Sequence, residues 1–184
     1  MMENVEPGVE DLEVTESFIN NLKDTARINF EEDGTLTPVC FIGAQVNPMN
    51  GEPLVGPSLI IAVSPQQLGI SMENSSGTQM FTDAVRMISR SSKAIMVVTV
   101  MEAWVLKLDN LDDRKSLPKS LEHVPGREEC IQIMLEHQKL GTKTKMWSAL
   151  ITRDEQGRAT LGDFKAMNLD KAEGRFMGFI DHPN

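Results

Sequence analysis

Apolar and polar positions alternate in two different ways along this chain, and each way predicts a type of element. Residues 11–30 and 78–90 place apolar side chains three to four positions apart, the spacing of one helix face. The other apolar runs are short, rich in β-branched residues and bounded by turn formers, which is typical of strands. Seven strands are expected, at 38–46, 59–63, 94–107, 128–138, 144–153, 159–164 and 174–180.

The connections between these elements predict the fold class. Most of the expected strands are joined by short turns, which force antiparallel pairing. The pattern therefore predicts an α+β fold with a mostly antiparallel sheet of about six to seven strands and two main helices packed on one face. The chain is expected to form a single domain over 1–184, with a flexible tail at 1–10 and a long surface loop at 108–126.

The apolar run at 94–107 contains a charged residue, Glu102, that needs an explanation. It is apolar on both alternating faces, so it predicts an interior strand that is covered on both sides. Glu102 interrupts this run, and a buried carboxylate without a partner is costly. We expect Glu102 to pair with Arg127 at the root of the long loop and so to order that loop. A contact with His137 and a role in acid–base catalysis stay open as alternatives.

Charge and composition narrow the class of protein. The formal charge is −9, and the basic residues are scattered, which argues against binding to nucleic acid or to anionic membranes. The acidity favours solubility or a basic protein partner. No signal peptide and no apolar run of membrane-spanning length is present, so we expect a cytoplasmic protein that does not enter a membrane.

The candidate chemical groups are few. His123 and His137 each follow a Leu-Glu pair, but their spacing matches no tight set of metal ligands, so neither a metal nor a cofactor is expected. Trp104 and Trp147 are expected on adjacent strands, where they would form either a binding surface or part of the core. No nucleophile or phosphate-binding motif is present.

Two short segments carry a resemblance. The first is Glu102-Ala103-Trp104, and the second is 118–129, a proline-bounded loop that ends in Arg127-Glu128-Glu129. Together they resemble a pattern found in a family of uncharacterised bacterial and phage hypothetical proteins. The resemblance implies a bacterial or phage source and draws attention to Glu102, Trp104 and Arg127. It implies no activity.

Together these observations predict a non-enzymatic, acidic interaction or accessory protein that binds a protein partner. A homo-oligomer stays open. The alternative is a small hydrolase or metal-dependent enzyme that uses Glu102 with His123 or His137. The candidate residues for binding or for a structural site are Glu102, Trp104, Arg127, His137 and Trp147.

Overall fold

The computed structural model describes residues 16–54, 59–106, 124–169, 176 and 178–180. The expected tail at 1–10 and most of the expected loop at 108–126 lie outside these residues. In chain order the elements are α1 (Glu16–Asp33), β1 (Val39–Ala44), β2 (Leu59–Val63), α2 (Ser75–Ser91), β3 (Met96–Val105), β4 (Glu128–His137), a 3₁₀ turn (Gln138–Leu140), β5 (Thr144–Arg153), β6 (Ala159–Leu161) and β7 (Lys165–Leu169).

The strands form one antiparallel sheet in the order β2-β1-β3-β4-β5-β6, and β7 also pairs with β5. β6 pairs with the last residues of β5 and β7 with its first residues. The two short strands are therefore successive pieces of one edge. This sheet and the two helices confirm the predicted α+β class and the predicted number of strands.

The two helices lie on opposite faces of the sheet, so the expectation that they share one face is not confirmed. Ile19, Leu22, Ala26 and Phe30 of α1 share a core with Val98, Ile133 and other side chains on what we call the α1 face. Phe81 and Val85 of α2 share a second core with Cys40, Ile42 and Val97. Because adjacent residues of a strand point to opposite faces, Val97 and Val98 place the two cores on opposite sides of β3.

β3 is an interior strand, as its apolar run predicts, since it lies between β1 and β4. Its two faces are covered only in part. Met96–Val100 is buried on both faces, whereas residues 101–105 are partly exposed. Glu102 therefore lies in the half of the strand where the covering layers thin out.

The C-terminal strands differ from the prediction. β6 ends at Leu161 instead of residue 164, and β7 was not predicted because Lys165, Ala166 and Asn168 have low strand propensity. The expected strand at 174–180 is not present in its described residues, which form a turn and irregular backbone. Gly178 has a φ of 71° there, which breaks an extended strand.

The ends of the helices are set by local hydrogen bonds. α1 ends where the N–H of Gly34 donates to the carbonyl of Phe30 at 2.7 Å. α2 begins three residues earlier than its apolar spacing predicts, because the side chain of Asn74 caps it by accepting from the N–H of Gly77 at 2.9 Å. Neither helix in the described part of the chain is long and apolar enough to span a membrane.

Candidate functional site

An open groove of about 560 Å³ lies between the C-terminal half of α1 and strands β1 and β2. We call it the α1–β2 groove. Its floor is apolar, with Leu36, Val39, Phe41 and Ala62. Its rim carries hydroxyl and amide groups and a single carboxylate, that of Asp33; the rim residues are Thr25, Asn29, Asp33, Thr35, Thr37, Ser64 and Gln66.

The groove exists because α1 does not cover the whole of its face. α1 packs against β6, at the far edge of the sheet, and the guanidinium of Arg27 fastens it there by donating to the carbonyls of Leu161 and Gly162 at 2.7 and 2.8 Å. Near the start of the helix, Phe18 meets Phe41 edge to face, with their ring centres 6.1 Å apart. The part of the α1 face that β1 and β2 form is left open beside the helix.

Glu102 supports one wall of this groove. Its carboxylate accepts a hydrogen bond from the backbone N–H of Leu36 and another from the side chain of Thr35. Burial raises the pKa of Glu102, and the bonds from Leu36 and Thr35 oppose that rise. The carboxylate therefore ties the connection between α1 and β1 to β3.

The expected ion pair between Glu102 and Arg127 does not form. Glu102 lies opposite Ile131 in the β3–β4 ladder, and Arg127 lies four residues before Ile131. The guanidinium of Arg127 instead stacks over the ring of Trp104 at 4.5 Å, and it donates to the carbonyl of Val124 at 3.3 Å. Glu102 is satisfied by the backbone of Leu36, which no spacing in the sequence indicated.

Trp104 and Arg127 form a stacked pair at the C-terminal end of β3, where the strand is partly exposed. The side chain of Trp104 is 38% exposed. Beside it, Arg153 makes two parallel hydrogen bonds with Glu129, the residue opposite Trp104, at 3.0 and 3.1 Å. Glu129 and Arg153 were not among the predicted site residues, because their pairing depends on the register between β4 and β5.

The other predicted site residues lie apart from this end of the sheet. His137 is buried opposite Met96, six residues beyond Ile131 on β4, so it lies about 20 Å from Glu102 along the ladder. Its Nδ1 accepts from the N–H of Lys139 at 3.0 Å. Trp147 is a core residue beneath α1, with the Lys23 ammonium 5.3 Å from its ring. His123 lies outside the described residues.

Glu136, a buried carboxylate on β4, was not among the predicted site residues. It accepts from the backbone N–H groups of Gly178 and Phe179 at 3.1 and 3.0 Å and so fastens this segment to the sheet. Burial raises its pKa, against the hydrogen bonds from the backbone. Glu136 shares with Glu102 the feature that could have identified it, a carboxylate within an apolar strand.

The thiols of Cys40 and Cys130 are both buried. The thiol of Cys40 has its pKa raised to about 12 by burial, and burial also raises the pKa of Cys130. Thiols in such surroundings are poor nucleophiles. Within the described ranges no three His, Cys, Asp or Glu side chains are grouped so that they could hold a metal ion.

No family model, no curated protein and no solved structure matches this chain.

Proposed function

We propose that this chain is a non-enzymatic interaction protein that binds an extended segment of a partner protein in the α1–β2 groove. The observation that carries the proposal is the position of the groove beside the outer edge of β2. Among the described residues β2 pairs only with β1. An added strand could hydrogen-bond to that edge while its alternate side chains enter the groove.

The exposed surface of β2 supports this mode of binding. Ile60 and Ala62 point to the same face of the strand, the face that Phe41 shares. Ala62 is exposed and Ile60 is 41% exposed. Apolar side chains in this position would be covered by the side chains of an added strand, and their burial would favour association.

The charges around the groove indicate which charge the partner segment should carry. The last turn of α1 carries Glu31, Glu32 and Asp33 and no basic residue, although a helix C-terminus disfavours negative charge. Asp33 is the carboxylate that lines the groove. The partner segment is therefore an extended one with apolar residues at alternate positions and a Lys or Arg that meets Asp33.

A display library of short random peptides tests the proposal. We expect selection on the wild-type protein to yield peptides with alternating apolar residues and one basic residue. Ala62→Arg, which places a long charged side chain in the groove, should weaken the selected peptides by about tenfold or more. Thr160→Arg is the matched control, since it adds the same side chain to an exposed position of β6 and should leave affinity unchanged.

Two further variants, Asp33→Asn and Trp104→Ala, distinguish binding in the α1–β2 groove from binding elsewhere on the surface. Asp33→Asn should weaken the basic peptides and reduce the salt dependence of their binding. Peptides that bind Ala62→Arg normally but lose affinity for Trp104→Ala would place the contact surface at Trp104 and Arg127 and reject the groove. Failure to select any peptide that depends on Ala62 would also reject it.

A further inference from the structure

A smaller cavity of about 190 Å³ lies at the C-terminal end of α2, and it is independent of the function proposed above. We call it the α2-end pocket. Its polar lining comes from the end of the helix and the end of β4, and its apolar wall from the segment that Glu136 holds against the sheet. The residues of the lining that matter here are Ser89, Arg90, Lys93, Gln138, Phe179 and Ile180.

The backbone at this pocket forms a helix-ending motif with an unusual residue in it. The N–H of Ala94 donates to the carbonyl of Ser89 at 2.9 Å, and the N–H of Lys93 donates to that of Arg90 at 3.1 Å. These two bonds define a Schellman motif, whose left-handed position is normally glycine. Here it is Lys93, with a φ of 49°, and no other described residue except glycine has a positive φ.

Ser89 is the second unusual residue of the motif. A Schellman ending is commonly completed by an apolar contact from this position of the helix. Ser89 is instead a serine that is 2% exposed, and its Oγ has no hydrogen-bond partner within the described ranges of the chain. A buried hydroxyl without a partner is unfavourable, so a ligand that accepts from it would satisfy the group.

The lining offers donors and positive charge. The ammonium of Lys93 and the guanidinium of Arg90 can only donate hydrogen bonds. Gln138 uses one amide N–H on the carbonyl of Ala94 at 3.3 Å. The carbonyls of Ile88, Ser89 and Arg90 disfavour an anion at the helix end, and the bonds that they accept from the N–H groups of Ser92, Ala94 and Lys93 offset part of this effect. Among the residues that the structure describes, no carboxylate lines the pocket.

We propose that the α2-end pocket binds a small oxyanion, a phosphoryl or a carboxylate group, with the Ser89 hydroxyl and the Lys93 ammonium as donors. The volume is below the 300–1,000 Å³ of pockets that hold larger ligands, so the pocket takes one such group and not a nucleotide. Lysine and serine stand where glycine and an apolar residue would make the more stable helix end, because both side chains contribute to this site.

Titration with inorganic phosphate and with acetate tests the proposal, each against chloride at equal ionic strength. The readouts are the melting temperature, which a ligand of the native state raises, and the backbone amide resonances of Lys93 and Ala94. We expect Ser89→Ala and Lys93→Gln each to weaken the tighter anion by about tenfold, the effect of losing one charge-assisted hydrogen bond. Lys165→Gln, on exposed β7, is the matched control for charge and should bind as the wild type does.

Lys93→Gly adds an independent check, because glycine adopts the positive φ at this position without steric strain and also lacks the ammonium. It should raise the melting temperature without anion and also lose anion affinity. The stronger of the two anions identifies the group as phosphoryl or carboxylate. Two results would overturn the proposal. One is an equal rise in melting temperature with anion in the wild type, Ser89→Ala and Lys93→Gln, and the other is no change of the wild type with either anion.

Discussion

Two carboxylates within the sheet, Glu102 and Glu136, serve as acceptors for backbone N–H groups. Glu102 holds Leu36, in the connection that precedes β1, and Glu136 holds Gly178 and Phe179 against the opposite face. In each case the carboxylate replaces a neighbouring strand as the partner of an irregular segment. Burial of a charge is costly, and these hydrogen bonds offset part of that cost.

The raised pKa of Glu136 makes stability depend on pH. Its folded value lies above the ordinary value of 4.5, so between those two values the folded protein binds more protons than the unfolded chain. The contribution of Glu136 to the free energy of unfolding therefore falls as pH rises through that window. Glu136→Gln removes this titrating group. We therefore expect the free energy of unfolding of the variant to fall less than that of the wild type as pH rises through this window.

Urea unfolding from about pH 4 to pH 8 measures this difference. Glu73→Gln, at an exposed position, removes a carboxylate from the surface and should follow the wild-type curve. A Glu136→Gln curve parallel to that of the wild type would show that Glu136 titrates alike in the folded and unfolded states.

At the scale of the elements, α2 shows how a close contact overrides helix propensity. Gly77 lies in its first turn, and a Cβ at this position would lie 1.7 Å from the carbonyl oxygen of Ser71. Alanine is favoured over glycine by about 1 kcal/mol in a helix interior. A clash with backbone costs more than that, because Ser71 cannot move without shifting the segment before the helix.

We therefore expect Gly77→Ala to lower the free energy of unfolding by about 3 kcal/mol. Chemical denaturation measures the change, and Ser76→Ala is the control, since Ser76 is exposed in the same turn and should change stability little. An unchanged or higher stability of Gly77→Ala would mean that the start of α2 is free to move away from Ser71.

At the scale of the whole molecule, the sheet is the middle of three layers, with α1 on one face and α2 on the other. Val98 is fully buried in the core beneath α1, on the central strand. A carboxylate there would have no basic partner among the apolar side chains of that core. Val98→Asp should therefore destabilise the entire domain and not one edge of it.

The expected loss is on the order of 4 kcal/mol, against less than about 0.5 kcal/mol for Thr160→Asp on exposed β6. Thermal unfolding followed by circular dichroism distinguishes the two variants. A Val98→Asp protein that melts close to the wild-type temperature would place Val98 at a solvent-accessible edge.

The amino-acid sequence by itself determined the type and approximate position of most elements. Periodicity is a local property, so it was enough to predict both helices, the interior strand β3 and the bounds of β2 and β5. It failed at β7, where pairing with the edge of β5 makes a strand from residues of low strand propensity, and at 174–180, where alternation is present but Gly178 bends the chain.

Only the tertiary structure decided which side chains meet across the molecule. Periodicity says which residues of one element share a face, but not which element covers that face, and so the two helices were wrongly expected on one side. Glu102 was identified as a buried carboxylate that needs a partner, yet its partner is a backbone N–H 66 residues away. The α1–β2 groove and the α2-end pocket likewise form where segments distant in sequence come together, because a cavity is bounded by packing between elements and not by the pattern within any one of them.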